Sequence, residues 1–96
     1  MVSHAERYQK NPSMVSREIA GEVILVPISR HVEDVESIYT LNETAAFAWT
    51  LLDGKNTLGE VSDQIVAEFD VDAEEARQDL IDLMAQLLEV GAIVKV

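Results

Sequence analysis

The sequence predicts an α+β domain, winged helix-turn-helix-like, with three N-terminal antiparallel strands followed by three helices. Three observations predict it. Up to Leu41, β-branched apolar segments are separated by short polar breaks. After Leu41 the apolar residues recur at helical spacing. Asn42, Thr57 and Asp72 each stand where a helix begins, the last two with a glutamate three residues on.

Residues 1–13 carry no periodic apolar pattern and are expected to form a flexible N-terminal segment with little to bury, leaving 14–96 as the folded domain. Met14–Ala20 reads as a strand, and Gly21 permits a tight turn. Val23-Ile24-Leu25-Val26 reads as a second strand. Pro27 cannot donate to a ladder, so it marks an end, a bulge or an edge. His31–Asp34 is a polar loop, and Glu36–Leu41 resumes as a third strand. The short connections favour an antiparallel meander.

Asn42 caps a helix over about Glu43–Leu52, with Ala45, Ala48, Trp49 and Leu52 on one stripe and Phe47 and Leu51 beside it. Trp49 and Phe47 are expected in the core. Asp53-Gly54 ends this helix. Thr57 and Glu60 have capping-box spacing and open a second helix, offering Val61, Ile65, Val66 and Phe69 for burial. Asp72 and Glu75 repeat the spacing and open the longest helix, about Ala73–Val90, which Gly91 stops. Ala92-Ile93-Val94 is a short apolar tail that suits a small strand.

Composition narrows the function. The chain of 96 residues has room for one domain. It contains no cysteine, which excludes disulfides, thiolate metal sites and cysteine nucleophiles and fits a cytoplasmic location. Its longest apolar run, Val23 to Ile28, is far too short to span a bilayer. Met1 to Pro12 is polar, without an apolar segment of signal-peptide type. The 18 acidic residues against 7 basic ones give a net charge of −11, which repels nucleic acid and anionic lipid and attracts a basic partner. The same acidity also serves solubility.

No catalytic or metal constellation stands out, so no enzyme and no cofactor is expected. His4 and His31 lack partners at ligand spacing. The four glycines are isolated, so no phosphate loop exists. Glu74, Glu75, Asp79 and Asp82 read as a solvated helix face. An acyl carrier needs a serine at a helix start in an Asp-Ser-Leu-like context, and Ser62 lies inside a helix without it. A winged-helix shape raises DNA binding as a rival. However, Arg77 is the only basic residue between Thr57 and Gly91, against ten acidic ones. A general protein-interaction adaptor is the second rival.

Ile38-Tyr39-Thr40-Leu41-Asn42-Glu43-Thr44-Ala45, followed by Trp49, Leu51-Leu52-Asp53-Gly54, Thr57 and Glu60, resembles the PqqD-like proteins. So does the ending, with Asp79-Leu80, Leu83, Leu87-Leu88 and Gly91-Ala92-Ile93. The resemblance covers about Arg17 to Val96. It implies a non-enzymatic precursor-peptide recognition element of ribosomally made, post-translationally modified peptide pathways. Such a protein binds the leader segment of a precursor and presents it to a modifying enzyme, often a radical S-adenosylmethionine protein. The resemblance also implies that the leader adds as a strand beside the third strand, in a groove bounded by the third helix. Pro27 to Glu36 is longer and more acidic than the turn expected in the pyrroloquinoline quinone prototype.

On that reading the peptide lies along Glu36, Ser37, Ile38, Tyr39 and Thr40, a short strand with polar flanks. On the long helix, Ala76, Leu80, Leu83, Met84 and Leu87 form the core stripe. Ile81 and Ala85 widen that apolar arc and are expected to line the groove. Arg77 is expected to pair with a leader carboxylate, and Leu88 lies between the two stripes. Neither nucleic acid nor membrane is expected as a partner, and the chain is expected to be a monomer or a weak homodimer.

Overall fold

The computed structural model describes residues 2–27 and 39–96. Among these residues, six strands and three helices follow in the order β1 (Arg7–Lys10), β2 (Met14–Ile19), β3 (Glu22–Pro27), β4 (Tyr39–Leu41), α1 (Glu43–Thr50), β5 (Asp53–Thr57), α2 (Leu58–Phe69), α3 (Ala73–Glu89) and β6 (Ile93–Lys95). The expected loop His31–Asp34 and the positions Glu36, Ser37 and Ile38 lie outside the described residues.

The meander is present as the antiparallel sheet β2-β3-β4. Met14 pairs with Pro27, and Ile19 with Glu22, around a turn in which Ala20 and Gly21 both have positive φ. β4 joins through Val23–Leu41, Ile24–Thr40 and Leu25–Tyr39. It is therefore an end strand of its sheet among the described residues.

The second sheet, β5-β1-β6, corrects the expectation for residues 1–13. β1 is its central strand, and Tyr8 is 3% exposed. The approach to β1 also completes α2. The first free N–H groups of that helix, on Leu58 and Gly59, donate to the carbonyls of Glu6 and His4 at 3.0 and 2.9 Å. The next, on Glu60, donates to Thr57 Oγ1 at 3.2 Å. A helix start leaves such donors open, so backbone acceptors from a distant segment tie that segment down. The contribution of β1 is hidden in sequence because only one of its four side chains, Tyr8, is buried.

The three helices begin where the sequence places them. Asn42 accepts from Ala45 N–H at 2.8 Å. Thr57 and Glu60 form a complete capping box, and Asp72 accepts from Glu75 N–H at 3.1 Å. Their apolar faces and the strands share one core, centred on Leu25, Trp49, Leu52, Leu58, Val61, Leu80, Met84 and Leu87. Trp49 is buried, while Phe47 is half-buried and meets Phe69 edge-on at 5.5 Å. Each fully buried leucine stabilises the fold by about 1.5–3 kcal/mol of apolar transfer.

Candidate functional site

Asn42 positions the site. By ending β4 and starting α1 in one residue, it sets the end strand beside the helical layer. α2 and α3 then pack so that a groove of about 450 Å³ lies between β4 and α3. Its floor is apolar, with Ala45 and Ala48 from α1, Ile65 from α2, and Ala76, Leu80 and Leu83 from α3. Tyr39 and Thr40 form the strand wall. The α3 wall is rimmed by Glu75, Asp79, Asp82 and Gln86. The Tyr39 hydroxyl donates to Gln86 Oε1, so a side-chain bridge joins strand and helix across one part of the groove.

This arrangement offers an end strand, an apolar floor and an acidic rim. Extended chain can pair with an end strand, and the floor can take its side chains. No Lys or Arg of the described residues lines the groove. No group of metal-ligating side chains occurs among the described residues, and no described helix is long and apolar enough to cross a membrane. Ser62, weighed above as a carrier serine, is 1% exposed and walled into α2.

Of the expected site residues, the structure brings Tyr39 and Thr40 to the groove and leaves Arg77, Ile81, Ala85 and Leu88 out of its lining. The reason is helical phase. At about 100° per residue, Glu75, Asp79, Asp82, Leu83 and Gln86 fall on one flank of the buried stripe Ala76, Leu80, Met84 and Leu87. Arg77, Ile81, Ala85 and Leu88 fall on the other. Hydrophobicity favoured the flank carrying Ile81 and Ala85, but the fold turns the acidic flank toward β4. Glu75, Asp79, Asp82 and Gln86 thus line the groove without having been among the expected site residues. The available signal was their spacing of three and four beside Leu83, which keeps one row of side chains along one edge of the stripe.

The segment quoted for its resemblance, Leu51-Leu52-Asp53-Gly54 with Thr57 and Glu60, acts through structure. Asp53 Oδ1 accepts from the N–H groups of Lys55 and Asn56 at 2.9 and 3.1 Å. Those bonds, Lys55's first, hold its carboxyl below the usual range. Asn56 Nδ2 donates back to the Leu51 carbonyl at 3.1 Å. Glu60 Oε1 accepts from Thr57 N–H at 2.8 Å, which together with the Thr57 hydroxyl lowers its pKa. These contacts fix how α1 leads into α2, and so where Ile65 and α3 stand.

A family model described as Coenzyme PQQ synthesis protein D (PqqD) matches residues 22–93. Two solved structures share the fold. TbiB1 in complex with the TbiA(beta) leader peptide is 25% identical, with a TM-score of 0.71, covering 88% of this chain and 93% of that one. Lasso peptide synthetase B1 complexed with the leader peptide is 19% identical, with a TM-score of 0.73, covering 92% and 98%. No curated protein matches the chain.

Proposed function

This chain belongs to the PqqD family, and from that premise we propose that it binds the leader segment of a ribosomally made precursor peptide and presents it to a modifying enzyme. The observation that carries the reading is the groove between the end strand β4 and α3, with its apolar floor. It occurs in a fold shared with TbiB1, which is solved with a leader peptide. The leader docks in extended form beside Tyr39–Leu41, its backbone pairing with β4 and its apolar side chains entering over Leu80 and Leu83. The chain itself catalyses nothing. Its role is to raise the local concentration of the precursor at an enzyme of the cytoplasm, a radical S-adenosylmethionine protein being one candidate class.

The test is calorimetric titration of the full chain with synthetic peptides covering the N-terminal segments of any short reading frames neighbouring its gene, paired with nitrogen-15 shift mapping. Saturable binding with shifts on Tyr39–Leu41 and on α3 is expected. Binding that perturbs only β5, β1 and β6 would reject the groove.

A further inference from the structure

Resting on the groove reading above, we propose that the segment it takes is basic on the side facing α3. An apolar residue enters the floor, and Lys or Arg residues two positions apart face Glu75, Asp79 and Asp82. Those three carboxylates rim the α3 wall. All three are exposed, and none forms an ion pair among the described residues. Among the described residues, the one side-chain donor that reaches them is Gln78 Nε2, 3.1 Å from Asp82 Oδ1. Arg77, on the same helix, sits on the opposite flank. Beyond β4, a second depression against α1 and the β2–β3 turn is lined by Glu18, Glu22 and Glu43, again with no cation among the described residues. The end strand is thus bordered by negative charge on both sides.

Spacing matches as well as sign. Glu75 and Asp79 are four residues apart on a helix, about 6 Å along its axis at 1.5 Å per residue. Same-side residues of an extended chain recur every ~6.6 Å. Two cations at alternate positions therefore meet successive carboxylates of the rim. A second copy of this chain is a poor occupant, because it brings its own acidic rim and a net charge of −11. Nucleic acid and acidic peptides meet the same repulsion.

The probe is a displayed library of random 12-residue peptides, selected against the immobilised full chain at about 50 mM salt, where screening is weak. The winning sequence is then made as a fluorescein-labelled peptide. Selection should enrich Lys or Arg at alternate positions beside an apolar residue. Anisotropy should show about tenfold weaker binding to the Asp79→Asn, Asp82→Asn double variant at low salt, a gap that closes as salt rises. The Asp79→Lys, Asp82→Lys double variant should instead prefer a peptide whose cations are changed to glutamate. All three carboxylates are exposed, so these variants should fold. Winners that map to Tyr39–Leu41 and α3, yet lack basic residues or bind the amide variant unchanged, would overturn the charge proposal and leave the groove reading standing. Winners that map elsewhere would overturn both.

Discussion

At the scale of single residues, two buried or paired groups make opposite predictions. Ser62 is 1% exposed, and its hydroxyl finds no hydrogen-bond partner among the described residues. An unsatisfied buried hydroxyl costs stability, so Ser62→Ala should leave the thermal midpoint unchanged or raise it. A fall of more than about 4 °C, near 1 kcal/mol for a domain this size, would count against that account. Glu6 is the contrary case. Lys95 Nζ lies 2.6 Å from its Oε2, while Ser3 N–H and the Tyr8 hydroxyl both donate to its Oε1 at 2.9 Å. Lys95 first, then Ser3 and Tyr8, hold its pKa at about 2 against an ordinary 4.5. The folded state therefore prefers the charged form. This stability is present above about 4.5 and is lost as pH falls through about 2. Burial first, then Glu6, pushes the Tyr8 phenol up to about 12 from 10.0. That contribution is complete below 10.0 and is lost as pH rises through about 12. Urea unfolding of wild type and Glu6→Gln across pH 2–5 checks the acid limb, since the variant should lack part of the decline.

At the scale of elements, β1 and β5 are the parts that sequence hides. β5 reads Asp-Gly-Lys-Asn-Thr, a turn composition with no alternation. It becomes a strand because β1 pairs with it from the far end of the chain, Arg7 opposite Thr57 and Gln9 opposite Asp53. Gly54 sits there at φ +80°, a conformation that costs an L residue about 1–2 kcal/mol. A Cβ would also lie 3.1 Å from Oε1 at the end of the flexible Gln9 side chain and 3.2 Å from Cγ2 of the exposed Val96. Gly54→Ala should therefore destabilise by about 1–2 kcal/mol, mostly through φ, as read by chemical denaturation. Tyr8→Ala should cost more, about 3 kcal/mol, because it empties a core position in the central strand. A near-neutral Tyr8→Ala would restore the view of residues 1–13 as a flexible segment with little to bury. The elements read correctly are those whose signals are local. The β2–β3 hairpin shows as β-branched runs around Gly21, and the helices show as caps at Asn42, Thr57 and Asp72 with apolar spacing behind them. The sheet β5-β1-β6 is set by long-range pairing, which no local window contains.

At the scale of the whole molecule, none of the described basic side chains lines the groove. Of the basic residues, Arg7, Lys10, Lys55 and Lys95 belong to the sheet β5-β1-β6. There Lys10 lies 5.6 Å over the Trp49 ring and donates to the Leu52 carbonyl at 3.3 Å. The groove side carries the rim of Glu75, Asp79 and Asp82. The family resemblance named the third strand and third helix as the walls of the proposed site, but sequence could not choose between the flanks of α3, because phase relative to β4 depends on how α2 and α3 pack. That ambiguity yields a paired test. Leu83 is half-buried in the groove floor, whereas Ile81 is half-buried on the far flank. An aspartate in the floor sets an unpaired charge against the apolar part of a docked peptide. Leu83→Asp should therefore weaken leader binding by at least about tenfold, near 1.4 kcal/mol. Ile81→Asp should lower the thermal midpoint but leave the Kd within about twofold, the error of a typical titration. Circular dichroism must first show both variants folded at the titration temperature. If Leu83→Asp does not fold, Leu83→Gln, near in shape and uncharged, carries the same comparison with a smaller loss. Loss of binding in Ile81→Asp alone would return the peptide to the flank of Arg77 and Ala85, and would remove Asp79 and Asp82 from its path.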